Sequence, residues 1–148
     1  MEYNDFLLPK QKEFEKLAKA YNEKLAANHE ISPKLIDNVL YSLKFLEWLY
    51  CYTKKRVNSF KFKNLLKQFE GQCFSNFSDF SRIVNFNGEI KLNKSKHLRS
   101  LNSCIKLAIY TESELVEFLF SYYICSNNSE IFSMICEHLK NIKTLIAL

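Results

Sequence analysis

Glycine and proline are almost missing from this chain, with two of each in 148 residues, where ordinary usage is about 7% and 5%. Glycine supplies left-handed and tight-turn conformations, and proline supplies rigid bends. A chain poor in both has few tight turns and long uninterrupted elements, which an all-helical fold satisfies most easily. Glycines at 71 and 88 alone also exclude the glycine-rich loops that cradle phosphates in P-loop and dinucleotide sites. Arginine is limited to Arg56, Arg82 and Arg99, which leaves little for reading base edges. The five cysteines, at 51, 73, 104, 125 and 136, contain no C-x-x-C pair. Irregular and odd in number, they suit reduced thiols serving as small apolar side chains in a cytoplasmic protein. No run of 18 apolar residues is present to span a membrane. The opening MEYNDFLLPKQKEFEK begins with acids and has no small-residue cleavage site, so it does not read as a signal peptide.

What the chain has in quantity is apolar and aromatic surface. Its 47% apolar content, 13 Phe and 8 Tyr are those of a folded protein, and its length makes one domain, 1–148, the default expectation. The spacing predicts six to seven helices in a bundle. Phe14, Leu17, Ala18, Tyr21 and Leu25 make a helical stripe, with Pro9 suited to a first turn. Ser32 and Pro33 are the clearest helix start, with Ile31 and Ile36 in staple positions. The apolar stretch from Phe45 to Tyr52 marks that helix as the central one. A third helix begins at Asn58 or Ser59, with Gly71 as its expected stop. Residues 72–94 are expected to be helical up to Asn87-Gly88. A short hairpin near 83–92 is the alternative, because Asn-Gly is a preferred hairpin turn. Ser95 to Tyr110 reads as a further helix. Thr111-Glu112-Ser113-Glu114 reads as a capping box that starts the next, and the SNNS turn at 126–129 precedes the last.

No residue pattern supports catalysis, a metal or a cofactor. The closest metal-type pair, Cys136 and His138, would point about 200° apart on a helix. Cys104 and His97 lie seven residues apart, too far along a helix to pair directly as nucleophile and base, and Cys104 reads as core. Glu112, Glu114 and Glu117 are expected at a helix start for capping and dipole reasons. The aromatic residues of 118–123 read as core, with a groove for a partner protein as the alternative.

Charge is the feature above background. An AT-rich coding composition would raise lysine everywhere, and 18 lysines and 14 asparagines are present. It would not segregate charge. From Lys54 to Lys106, twelve basic residues stand against three acids, a local +9 in a chain of +5. Acids are missing from 48–69 and from 90–111. In NSFKFKNLLKQF, residues 58–69, helical geometry puts Phe62, Leu65, Leu66 and Phe69 on one side. Lys63, Lys67, Asn64 and Gln68 fall on the other, with Phe60 among them. Residues 95–110 repeat the design. The expectation is therefore a small non-enzymatic protein that binds nucleic acid, such as RNA, by its phosphates and with little sequence choice, as part of a nucleoprotein assembly. Lys54, Lys55, Arg56, Lys61, Lys63, Lys67, Lys94, Lys96, Arg99 and Lys106 would touch phosphate, and Phe60 would stack on a base. The alternative is an inhibitor, immunity or adaptor module that uses the aromatic helix, or offers the basic face to an acidic protein partner. The competing plain reading is a solvated lysine face on a basic protein.

Overall fold

The computed structural model describes the backbone of residues 3–25, 31–94 and 100–148, and side chains of 9–20, 31–94 and 100–148. The described residues form five α-helices and no strand: α1 (Tyr3–Leu25), α2 (Pro33–Lys54), α3 (Phe60–Val84), α4 (Leu101–Ser126) and α5 (Ser129–Ile146). The start signals act as their chemistry requires. Ser59 Oγ accepts the Phe62 N–H at 3.3 Å, Ser100 Oγ accepts that of Ser103 at 3.1 Å, and Asn128 Oδ1 accepts that of Glu130 at 2.8 Å. Ser32 caps through its backbone, its carbonyl receiving the N–H of Leu35 and Ile36. With glycine scarce, asparagine takes over the left-handed stops. Asn85 ends α3 at φ 56° and Asn127 ends α4 at φ 53°, a conformation asparagine tolerates better than most residues.

α2 lies between α3 and α4 and packs on both, α5 packs on α4 and more lightly on α3, and α1 lies against α4. Tyr50 of α2 meets both Phe69 of α3 and Glu112 of α4. Phe80 meets Tyr122, with ring centroids 5.1 Å apart. Since 69 to 80 and 112 to 122 descend together, α3 and α4 run parallel and occupy diagonal corners. α2 and α5 run the other way. The interior is filled by Leu40, Leu43, Leu46 and Leu49 of α2, Leu115 and Leu119 of α4, and Ile131 and Ile142 of α5. Phe14 of α1 stacks on Phe120 at 4.8 Å.

Helices that run parallel cannot be joined by a tight turn, and the described part of the connection after α3, residues 85–94, leads back along the bundle. This stretch leaves α3 at the left-handed Asn85 and has no regular secondary structure, with Ile90 and Leu92 against the core edge and Glu89, Lys91 and Asn93 exposed. The Asn93 N–H donates to Tyr41 Oη at 3.1 Å. This corrects the hairpin considered for 83–92: the alternation in EIKLN belongs to a crossover that packs every second residue and has no strand partner among the described residues.

Three other expectations are corrected. Gly71 does not stop α3, because the buried stripe Phe69, Cys73, Asn76, Phe80 continues past it and Gly71 sits on the exposed side. The capping box at 111–114 starts nothing. α4 runs through it, Thr111 and Glu112 are buried, and the Ser113 hydroxyl bonds back to the Ile109 carbonyl at 2.8 Å. These mergers, with the start of α4 at Leu101, reduce six or seven helices to five. Pro9 lies inside α1 and not at its first turn.

Candidate functional site

Two places carry polar chemistry: a buried cluster at the centre of the bundle and a basic corner at one end. In the cluster, Glu112 lies on the apolar stripe of α4 with Ala108, Leu115 and Leu119, at −4, +3 and +7. Its Oε1 accepts from Tyr50 Oη at 2.5 Å and from Asn141 Nδ2 at 3.2 Å, and its Oε2 lies 2.7 Å from His138 Nδ1. Asn76 Nδ2 lies 3.0 Å from His138 Nε2 and 3.1 Å from Glu137 Oε2. Asn141 Nδ2 also reaches Gln72 Oε1 at 2.6 Å. An amide nitrogen facing Nε2 makes that atom an acceptor, so Nδ1 carries the ring proton and donates it to Glu112.

All four central helices contribute to this chain of bonds. Burial, and then the Glu112 charge, push the Tyr50 phenol well up. Burial and the same charge push the Cys73 thiol up. Glu112, His138 and Cys73 are each 0% exposed, so none can meet a substrate, and the cluster holds helices together. The sequence reading missed it by assigning Glu112 to a helix start. The available signal was a carboxylate in phase with an apolar stripe, together with a histidine in phase with Ile131, Met134 and Ile142.

At the basic corner, the C-terminus of α2 meets the N-terminus of α3. Lys55, Lys61, Lys63 and Lys67 are exposed, and Phe60 is 77% exposed. Phe62, Leu65, Leu66 and Phe69 face inward, so the lysines and Phe60 share the outer side of α3. The Arg56 guanidinium lies 3.5 Å from the centre of the Tyr52 ring and donates to the Tyr52 carbonyl at 3.2 Å. Lys54 belongs elsewhere. Its ammonium bonds Glu70 at 2.8 Å, which raises its pKa, so it is committed within the fold. A groove of about 650 Å³ adjoins the lysines between α3 and the end of α5, lined by Lys61, Phe62, Asn64, Leu65, Gln68 and Leu148 among others.

No known protein family, curated protein or solved structure matches this chain. Its own side chains therefore carry the functional reading.

The remaining candidates do not join this corner. Lys106 is exposed on α4, at the same end of the bundle but on the diagonal corner from the lysines of α3. Lys94 is exposed beside Asn93 on the crossover, near Tyr41 and away from the start of α3. Lys96 and Arg99, like His29 and His97, lie outside the described residues. Part of the aromatic helix packs inward, Phe120 on Phe14 and Tyr122 on Phe80, while Tyr123 meets Phe132, which is half exposed. No described helix is long and apolar enough to cross a membrane.

Proposed function

We propose that the chain binds nucleic acid through the α2–α3 corner, by backbone contacts and with little sequence choice, as a non-enzymatic subunit or accessory of a nucleoprotein assembly. The observation that carries this reading is Phe60, an aromatic ring left 77% exposed between exposed lysines in a segment without acids. A ring in water gains nothing from burial, whereas a ring beside ammonium groups offers a base a stacking face next to phosphate contacts. Lys55, Lys61, Lys63 and Lys67 are the phosphate contacts, and Arg56 borders them on its Tyr52 platform. Asn64 and Gln68 add amide donors of the kind that bond phosphate and sugar. The packing of Phe120 on Phe14 and of Tyr122 on Phe80 favours this corner over a protein-binding role for residues 115–125.

Fluorescence anisotropy with single-stranded RNA, single-stranded DNA and duplex DNA, at two salt concentrations, tests the reading. Four phosphate contacts to a single strand predict a loss of roughly 50-fold between about 50 and 200 mM salt. Reversing Lys61, Lys63 and Lys67 to glutamate should abolish binding. Phe60→Ala should weaken it by about 1–3 kcal/mol. No binding at low salt, or binding unchanged by the reversals, would overturn it.

A further inference from the structure

Three metal-ligating side chains from three different helices meet in the core. Cys73 of α3, Glu112 of α4 and His138 of α5 bring a sulfur, a carboxylate oxygen and a ring nitrogen within 4.8 Å of one another. Convergence from facing helices is how bundle cores build metal centres. Tetrahedral bonds of about 2.0–2.3 Å place ligand atoms roughly 3.3–3.8 Å apart, so the widest of the three spacings closes by about 1 Å around an ion.

The charges point the same way. Glu112 brings an ionisable carboxylate into the core, and no lysine or arginine among the described residues is buried with it. Tyr50 and Asn141 are neutral donors, and the His138 ring is the remaining partner of Glu112. A buried charge is ordinarily paired or bound to a metal. Cys73 adds a second group able to become anionic at the same place.

We propose that Cys73, Glu112 and His138 form a buried site for one divalent transition-metal ion of the zinc class. A thiolate, a carboxylate and an imidazole suit zinc, whereas magnesium and calcium favour oxygen ligands alone. Two anionic ligands and one neutral ligand cancel the double positive charge, leaving the loaded core neutral. Binding forms the metal–sulfur, metal–oxygen and metal–nitrogen bonds and breaks the Cys73 S–H bond, whose proton leaves to solvent. The His138 ring proton passes from Nδ1 to Nε2, where Asn76 turns its amide oxygen to accept it. No electron is transferred, and one proton is released for each ion bound. Tyr50 and Asn141 keep their bonds to Glu112 and orient it, as partners of metal ligands do.

The test uses the full chain, purified without a metal-affinity column and refolded with Zn²⁺ so that the ion can reach a buried site. One zinc per chain, one proton released per ion and a raised Tm are expected. A Co²⁺-loaded sample should show a sulfur-to-cobalt charge-transfer band. Cys73→Ala leaves every hydrogen bond of the cluster in place, so it should fold, lose that band and bind zinc at least 100-fold more weakly. Absence of stoichiometric zinc from the refolded chain would overturn the site, leaving a hydrogen-bonded cluster alone. So would an unchanged band and affinity in Cys73→Ala, which would move the metal to another cysteine such as Cys51 or Cys136.

Discussion

Glu112 of α4 and His138 of α5 meet at 2.7 Å with neither exposed to solvent. Removing the carboxylate strands the Tyr50 hydroxyl and the His138 N–H in the core and leaves the Asn141 amide with Gln72 as its acceptor. Glu112→Ala should therefore destabilise the fold by about 2–6 kcal/mol, at about 1–3 kcal/mol for each stranded donor. Glu112→Gln should cost less, because its carbonyl oxygen can still accept from Tyr50. Urea unfolding of both variants measures the difference.

Tyr50 predicts a response to alkali. Its folded phenol titrates well above the ordinary value of 10.0 because burial, and then the Glu112 charge, disfavour the phenolate. The unfolded chain then loses this proton at lower pH than the folded chain. The stabilising contribution is complete below pH 10 and falls as pH rises above it. Tyr50→Phe should cost about 1–3 kcal/mol at neutral pH through the acceptor left short of a donor, and should flatten the decline above pH 10. Thermal unfolding as a function of pH reads both effects.

Gly71 predicts a gain. It lies within α3, its backbone is not left-handed, and an added Cβ meets nothing within 4 Å. Gly71→Ala should stabilise the protein by about 0.5–1 kcal/mol, visible as a higher urea midpoint with an unchanged slope.

Phe60 and Phe69 separate surface from core on one helix. Phe69 is 7% exposed and packs on Tyr50, so Phe69→Ala should cost about 3–5 kcal/mol. Phe60→Ala should change stability by less than about 0.5 kcal/mol while weakening nucleic-acid binding. Calorimetry on the two variants compares them directly.

The helical class was readable because Leu35, Val39, Leu43 and Leu46 repeat at helical spacing and Ser32-Pro33 is a strong start. The lysine side of α3 was readable because one helix sets its own faces. What failed depended on distant partners. Thr111-Glu112-Ser113-Glu114 has the composition of a cap, but Glu112 is claimed by Tyr50 and His138, 62 and 26 residues away in the chain. Burial there keeps α4 straight through the motif. Gly71 stops a helix only where the chain turns away, and Cys73 and Phe80 hold it on course. The alternation at 89–93 reports that every second residue packs inward, and nothing in its spacing distinguishes a paired strand from a strap across helices. α3 and α4 stand diagonally across the bundle, so Lys106 of the second predicted face lies on a different corner from the lysines of α3.

The crossover divides the central bundle into two helical hairpins, α2–α3 before it and α4–α5 after it. Each is local in sequence, but neither closes the central cluster alone. Tyr50, Gln72 and Asn76 come with the first hairpin, and Glu112, His138 and Asn141 with the second. Sliding one hairpin past the other by a helical turn, about 5.4 Å, would break at once the bonds that cross between them, Tyr50 to Glu112, Asn76 to His138 and Asn141 to Gln72. The polar cluster thus acts as a keying tooth: greasy surfaces could dock in several registers, and only one lets these bonds close.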